Sequence, residues 1–189
     1  MFNLFRRRSA DEPVAPSLTQ QLAAAVNADD LALVSSLLAQ GAQPDDLDPQ
    51  AAWTATQRAA ANGRLAILEQ LLSHGANPQQ RDKTMGNTLL HLAANGMYPA
   101  VFGLLKQAGL DLNARNDLGR TPLFAAAGLD DVSGTLELLL LGADPALRDT
   151  TGHTAADAAL AREQDPDNSW STANARAVLA GWQQNDKPE

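Results

Sequence analysis

The chain has 189 residues, a net charge of −8 and no cysteine, which excludes disulfides, thiol catalysis and cysteine-bound zinc. Aromatic residues make up 4% against 44% hydrophobic overall, so the core must rest on Ala and Leu, which suits closely packed small helices better than a sandwich or barrel. Beyond three arginines at positions 6 to 8, 11 Lys and Arg face 22 Asp and Glu; such a body repels phosphate backbones, and nucleic-acid binding by the folded part is not expected.

Residues 1–16 read as a flexible tail, with Asp11, Glu12, Pro13 and Pro16 opposing a continuous helix. Its apolar residues precede its charges and no apolar h-region follows, the reverse of a secretory signal. No run approaches the roughly 18 apolar residues of a membrane span. The protein is therefore expected in the cytoplasm. Phe2, Leu4 and Phe5 beside Arg6, Arg7 and Arg8 offer weak contact with an anionic membrane, docking on a partner, or neither. The motif is too short to anchor the chain alone.

From Ser17 to Trp182 one pattern persists. Gly41-Ala42, Gly75-Ala76, Gly109-Leu110 and Gly142-Ala143 are spaced by 34, 34 and 33 residues, and Thr54, Thr88, Thr121 and Thr154 step by 34, 33 and 33. Two markers with one period define an internal repeat. The clearest copy is Gly119 to Pro145. Thr121 before Pro122 fits an N-cap followed by proline at the first helical position, where a missing N–H costs nothing. Leu123, Ala126 and Ala127 give a short helix with a small-residue face. After a break at Gly128 to Asp131, Leu136 and Leu138 to Leu141 give a second helix apolar nearly all round, which is expected to be buried between neighbours. Gly142 then closes it in the left-handed conformation. Tyr98-Pro99 is expected to start the second helix of the third unit, with Pro99 at its first position.

The segments GNTLLHLAANG (86–96) and GRTPLFAAAG (119–128), with the GANP and GADP closures, resemble the ankyrin repeat, a unit of about 33 residues carrying T-P-L-H-x-A. The resemblance implies an all-α solenoid of helix-turn-helix units with projecting hairpin-like loops. The array is expected over 17–182, as units at 17–49, 50–83, 84–116, 117–149 and 150–182, with a tail at 183–189. Five such units should fold as a monomer. The first unit lacks the Thr-Pro-Leu signature. The second places polar residues, Trp53-Thr54-Ala55-Thr56-Gln57-Arg58, where Leu and His are usual, and capping does not explain Arg58; this deviation, with the loop tips, is where specificity is expected to lie. In the fifth, a longer segment, Gln164 to Ser171, separates the helices. Terminal units must present one face to water, and Trp170 and Trp182 are expected to cover the open end of the stack.

Little in the chain suggests chemistry. His74, His91 and His153 lie in different repeat positions, and no pair has the i,i+3 or i,i+4 spacing of a helical metal site. His91 is expected to bond locally near Thr88, and His74 to cap helical carbonyls before Gly75. Ser73-His74 has no carboxylate orienter beside it. Asp130-Asp131 and Asp45-Asp46-Asp48 suit helix starts and solubility, with no calcium-loop spacing. No phosphate-binding glycine loop is present. A hydrolase or metal enzyme is thus the weakest functional reading, with no catalytic residue, cofactor or metal expected.

The surface is the alternative. In ankyrin-like arrays partners bind the loop tips and the concave face, and the repeat register carries these onto Trp53; Lys83, Thr84, Met85 and Asn87; Asp117, Leu118 and Arg120; and Thr150, Thr151 and His153. Trp and Arg are common interface anchors, which favours Trp53 and Arg120, while Met85 and Leu118 are apolar at expected tips. Each also has a plain reading as loop packing. The expected function is a non-enzymatic module that binds another protein and neutralises, chaperones or scaffolds it. The acidic excess favours a basic partner surface. The insert Asp165 to Trp170 is a second candidate surface, and a membrane-peripheral adaptor using residues 1 to 8 is the alternative function.

Overall fold

The computed structural model describes residues 15–48, 52–164 and 171–184. The Phe/Arg-rich start, the insert at 165–170 with Trp170, and the last five residues lie outside the described residues. Among the described residues there are ten α-helices: α1 (Leu18–Asn27), α2 (Leu31–Ala39), α3 (Ala55–Ala61), α4 (Leu65–Ser73), α5 (Leu89–Asn95), α6 (Phe102–Gln107), α7 (Pro122–Gly128), α8 (Val132–Leu141), α9 (Ala155–Glu163) and α10 (Ala173–Gln184). The described residues form no strand longer than the isolated Arg81–Thr88 bridge.

Each odd-numbered helix starts at a hydroxyl. Ser17, Thr54, Thr88, Thr121 and Thr154 are the N-caps of α1, α3, α5, α7 and α9, all with extended backbone. Pro122 stands at the first position of α7 as expected. Pro99 instead opens a short 3-10 turn, Pro99–Val101, that leads into α6. The closing glycines Gly41, Gly75, Gly109 and Gly142 all have positive φ, between 86° and 106°. This is the left-handed stop that lets the chain leave each even-numbered helix.

A further periodic device joins the two helices of each unit. Asp29, Gly63, Met97 and Asp130 all have φ between 55° and 65°. Asp and Gly tolerate this region; Met does not, because its β-carbon crowds the backbone at a cost of roughly 1–2 kcal/mol. Met97 is half exposed, so its side chain gains little in return. Met97→Asn should therefore raise stability by about 0.5–1 kcal/mol, read as a higher midpoint of thermal unfolding; an unchanged or lower midpoint would mean that the side chain's packing outweighs the strain.

The odd-numbered helices stack in one layer, α1 on α3, α3 on α5, α5 on α7 and α7 on α9, while α2 meets α4, α6 meets α8 and α8 meets α10 in the second. Ala59, Ala93, Ala126 and Ala159 occupy the same register in the first layer and are wholly buried. The second layer supplies bulk through Leu37, Leu68, Leu71, Phe102, Leu105, Leu138 and Leu179, all inaccessible or nearly so. Repeat arrays gain stability from such nearest-neighbour surfaces rather than from one central core. Trp182 packs against this core at the end of the stack.

Two expectations need correction. The leucine-rich α8 is not buried all round: Val132, Leu136 and Leu140 form an exposed line, with Leu140 at 64%, because nothing in the described chain lies outside the second layer. The polar second unit is also no exposed feature. Thr56 and Gln57 are buried. Gln57 and Thr54 form a reciprocal capping box, the Thr56 hydroxyl bonds the Pro44 carbonyl and Asp45, and Arg58 donates to Asp48 at 2.8 Å with both side chains largely covered. These polar residues therefore brace the second unit against the loop before it.

Candidate interaction surface

Three hairpin-like tips that are described throughout project from the layers. Each is closed by backbone hydrogen bonds, Asp82 N to Asn87 O, Asn116 N to Arg120 O and Asp149 N to His153 O, at 2.9–3.0 Å. Each is then filled by the side chain at its first residue. Asp82 accepts from the backbone N–H groups of Thr84, Met85 and Asn87. Asn116 does the same for Leu118 and Arg120, and Asp149 for Thr151 and His153. Burial alone would raise the carboxyl pKa of Asp82 and Asp149; hydrogen bonds from these loops outweigh it and hold both below the usual carboxylate range.

Neighbouring tips are tied edge to edge. Asp117 N donates to Met85 O at 2.9 Å, and Thr150 N and Oγ1 both donate to Leu118 O. Arg120 donates from Nε to the buried Asp149 carboxylate at 3.1 Å while its guanidinium sits 5.9 Å from the centre of the Phe124 ring. His91 links helix to tip. Its Nδ1 meets Thr88 Oγ1 and its Nε2 meets the Arg120 carbonyl, each at 2.8 Å. A carbonyl only accepts, so Nε2 carries the proton and donates.

The Thr88 backbone N–H donates to Nδ1 at 3.3 Å, so Nδ1 carries no proton and His91 is neutral. Burial lowers its pKa, and the nearby Arg81 adds to this against the opposing carbonyl of Arg120 and the charge of Asp82. The unfolded chain, with its histidine near 6.5, binds the proton more readily than the folded one. The stabilising contribution of His91 is thus full above about pH 6.5 and is lost as pH falls through the lower folded value. The urea midpoint should drop between pH 7.5 and pH 5, and the drop should shrink in His91→Asn; an equal drop in both would assign it elsewhere.

Between the tips and α5, α7 and α9 lies an open groove of about 610 Å³. Of the tip residues expected from sequence, Met85, Asn87, Leu118, Arg120, Thr151 and His153 line it. Met85 and Leu118 are 42% and 40% exposed. Lys83, Thr84, Asp117 and Thr150 are exposed on the rim without lining it. Trp53 is not brought to this surface; it packs half-buried against the core. Asn87 is also no exposed contact: it is buried, with its amide spent on Asp82 and Asn116.

The register of the tips missed the groove floor, where Asn95, Gly128 and Ala161 occupy equivalent places near the ends of α5, α7 and α9, joined by Phe124, Leu129 and Arg162. Applying the same 33-residue period to the first helices would have found these residues. Among the described residues no group of His, Asp or Glu is arranged to hold a metal ion, and no helix is long and apolar enough to cross a membrane.

Paired helices in two layers, tips joined into one rim and a shallow groove beneath them define a repeat scaffold that presents a surface. The chain belongs to the ankyrin repeat family: the family's three-copy ankyrin repeat model matches residues 22–116 and the single ankyrin repeat matches 118–150. Ankyrin repeats are protein-interaction modules. The helix pair α9–α10 continues the stack past the matched residues. The chain is also similar to the Target of rapamycin complex 2 subunit AVO2 of Saccharomyces cerevisiae, with 32% identity over 112 residues, 58% of this chain. It spans about a quarter (26%) of that protein.

Proposed function

We propose that the chain is a non-enzymatic adaptor that holds a partner protein against the groove of its third to fifth units, with the tips at 83–87, 117–120 and 150–153 as the rim. The observation that carries this reading is the half-exposed pair Met85 and Leu118 beside Phe124, held on tips that the backbone ladder and the side-chain anchors Asp82, Asn116 and Asp149 make rigid. A pre-ordered rim loses little freedom on binding, so its apolar contacts count more fully toward affinity. The similarity to a subunit of a protein complex agrees with a scaffold role.

The basic partner suggested by the whole-chain charge is not part of this proposal, because the acidic residues are unevenly placed. Residues 17–49 contain five aspartates and no Lys or Arg, whereas among the described residues the groove lining contains no carboxylate.

Trp53 and Arg120 are poor probes, since one packs on the core and the other braces Asp149. Met85→Glu with Leu118→Glu is the better test, because both side chains are on the surface. The double variant should keep the thermal midpoint of the parent and lose at least tenfold in affinity for a partner captured from the native host. Unchanged affinity would rule out the groove.

A further inference from the structure

The outer face of the second layer departs from its own pattern on α8. Val132, Leu136 and Leu140 follow one another at four-residue steps, so they form a single row along the helix, and they are 38%, 41% and 64% exposed. The repeat period carries Leu136 and Leu140 onto Ser35 and Ala39 in α2, Glu69 and Ser73 in α4, and Gly103 and Gln107 in α6. Those helices put small or polar residues where the stack meets water, as an outer face requires. Among these four helices α8 alone puts two leucines there, and neither fills the core.

The helices on either side of the row are low there and nearly free of charge. α6 presents Gly103, where an added β-carbon would meet open space. α10 begins at Ala173 as α8 begins at Val132, and Ala175 and Leu179 are buried as Gly134 and Leu138 are. Ala177 and Gly181, both exposed, therefore hold the places of Leu136 and Leu140. These three helices carry one charged side chain each, Lys106, Glu137 and Arg176. Lys106 donates to the Leu141 carbonyl at 2.7 Å, Arg176 is paired with Glu163, and Glu137 is half-buried. The row is thus a ridge with a shallow strip of small residues beside it.

From this relief we infer that α8 is the centre of a two-fold contact with a second copy of the chain, the Val132–Leu136–Leu140 ridge of each copy lying in the Ala177–Gly181 strip of the other. A two-fold contact uses one patch twice, so the patch must hold both the projecting and the receiving part. Here the two lie on adjacent helices. A two-fold axis parallel to α8, between it and α10, sets each ridge in the opposite strip, and the small residues let the helices approach closely. Charge favours the same arrangement. The chain carries −8 overall, yet these three helices hold Lys106 and Arg176 against Glu137. The axis also runs the two stacks in opposite directions, so the aspartate-rich first units lie at opposite ends, well beyond the Debye length of about 8 Å at physiological salt. Three helix faces fall short of the roughly 800 Å² per partner of a standard interface, so the pair forms in the micromolar range. No residue lining the groove belongs to α8 or α10. The dimer therefore presents two free grooves, and a partner with two binding segments gains effective concentration from the second.

Sedimentation equilibrium of the full chain from about 2 to about 200 μM should follow a monomer–dimer equilibrium. Leu136→Glu with Leu140→Glu should stay monomeric throughout and keep the parent's thermal midpoint at the lowest concentration, because both side chains are exposed. Ala177→Arg, which fills the receiving strip and removes only a methyl group, should weaken pairing at least tenfold. Leu33→Glu, at an exposed leucine of α2, should leave it unchanged. A parent that stays monomeric, or forms only species larger than a dimer, overturns the inference. So does a dimer that survives in the α8 double variant, is indifferent to Ala177→Arg, or is lost equally in Leu33→Glu. A monomeric parent that retains another protein of the native host, and loses it in the double variant, assigns the ridge to that partner instead.

Discussion

Replacing Asp149 with alanine is expected to cost about 2–4 kcal/mol of stability, the largest effect of any polar substitution in the tips. The side chain is 1% exposed and accepts from Thr151 N, Thr151 Oγ1, His153 N and Arg120 Nε. Alanine leaves two loop N–H groups without acceptors and Arg120 without its partner. The half-exposed guanidinium can turn to water, so the figure stays below the cost of stranding a fully buried charge. Thr150, whose N and Oγ1 bond the Leu118 carbonyl, should loosen together with the tip.

Urea unfolding of Asp149→Ala measures the loss, and exchange of the Thr151 and His153 amides locates it. The pH dependence has a definite sign. The folded carboxyl is held below its unfolded value, so its contribution is complete above about pH 3.9 and disappears as pH falls through the folded value. The gap between the two proteins should narrow in acid. A constant gap would mean that the tip is held by its backbone ladder alone.

The parts of this fold that could be read from the sequence are those where one residue type recurs for one reason. A threonine at 54, 88, 121 and 154 and a glycine at 41, 75, 109 and 142 repeat because an N-cap needs a short acceptor and a left-handed stop needs no β-carbon. The tip anchors at 82, 116 and 149 have the same period, but they read as Asp, Asn and Asp, and each looks like ordinary loop polarity. The left-handed turn at 29, 63, 97 and 130 is written as Asp, Gly, Met and Asp, so no residue type marks it. The groove floor at 95, 128 and 161 is Asn, Gly and Ala, which carry no chemical signature until the stack brings them together. Gln57 looked like a deviation with a functional purpose because a sequence does not show that its amide caps its own helix. The apparent exception was a different solution to the same capping problem.

Ala93→Leu is expected to cost about 2–3 kcal/mol and to divide the molecule into two unfolding units. Ala93 has no exposed surface and lies on α5, which packs between α3 and α7. Its equivalents Ala59, Ala126 and Ala159 are equally buried, so this layer is spaced for methyl groups. A leucine there has no void to enter and must push α3 or α7 away. In an array held by neighbour surfaces, such a wedge removes coupling as well as packing. The units before residue 84 and those after it should then melt at different urea concentrations, where the parent melts once. Tryptophan fluorescence, to which Trp53 contributes from the first part and Trp170 and Trp182 from the last, should no longer coincide with helix content at 222 nm. Ala161→Leu, at an exposed place on α9, should leave the single transition intact. If Ala93→Leu also unfolds in one coincident step at the parent's midpoint, the odd-numbered layer has room to spare and the alanine register does not set the spacing of the stack.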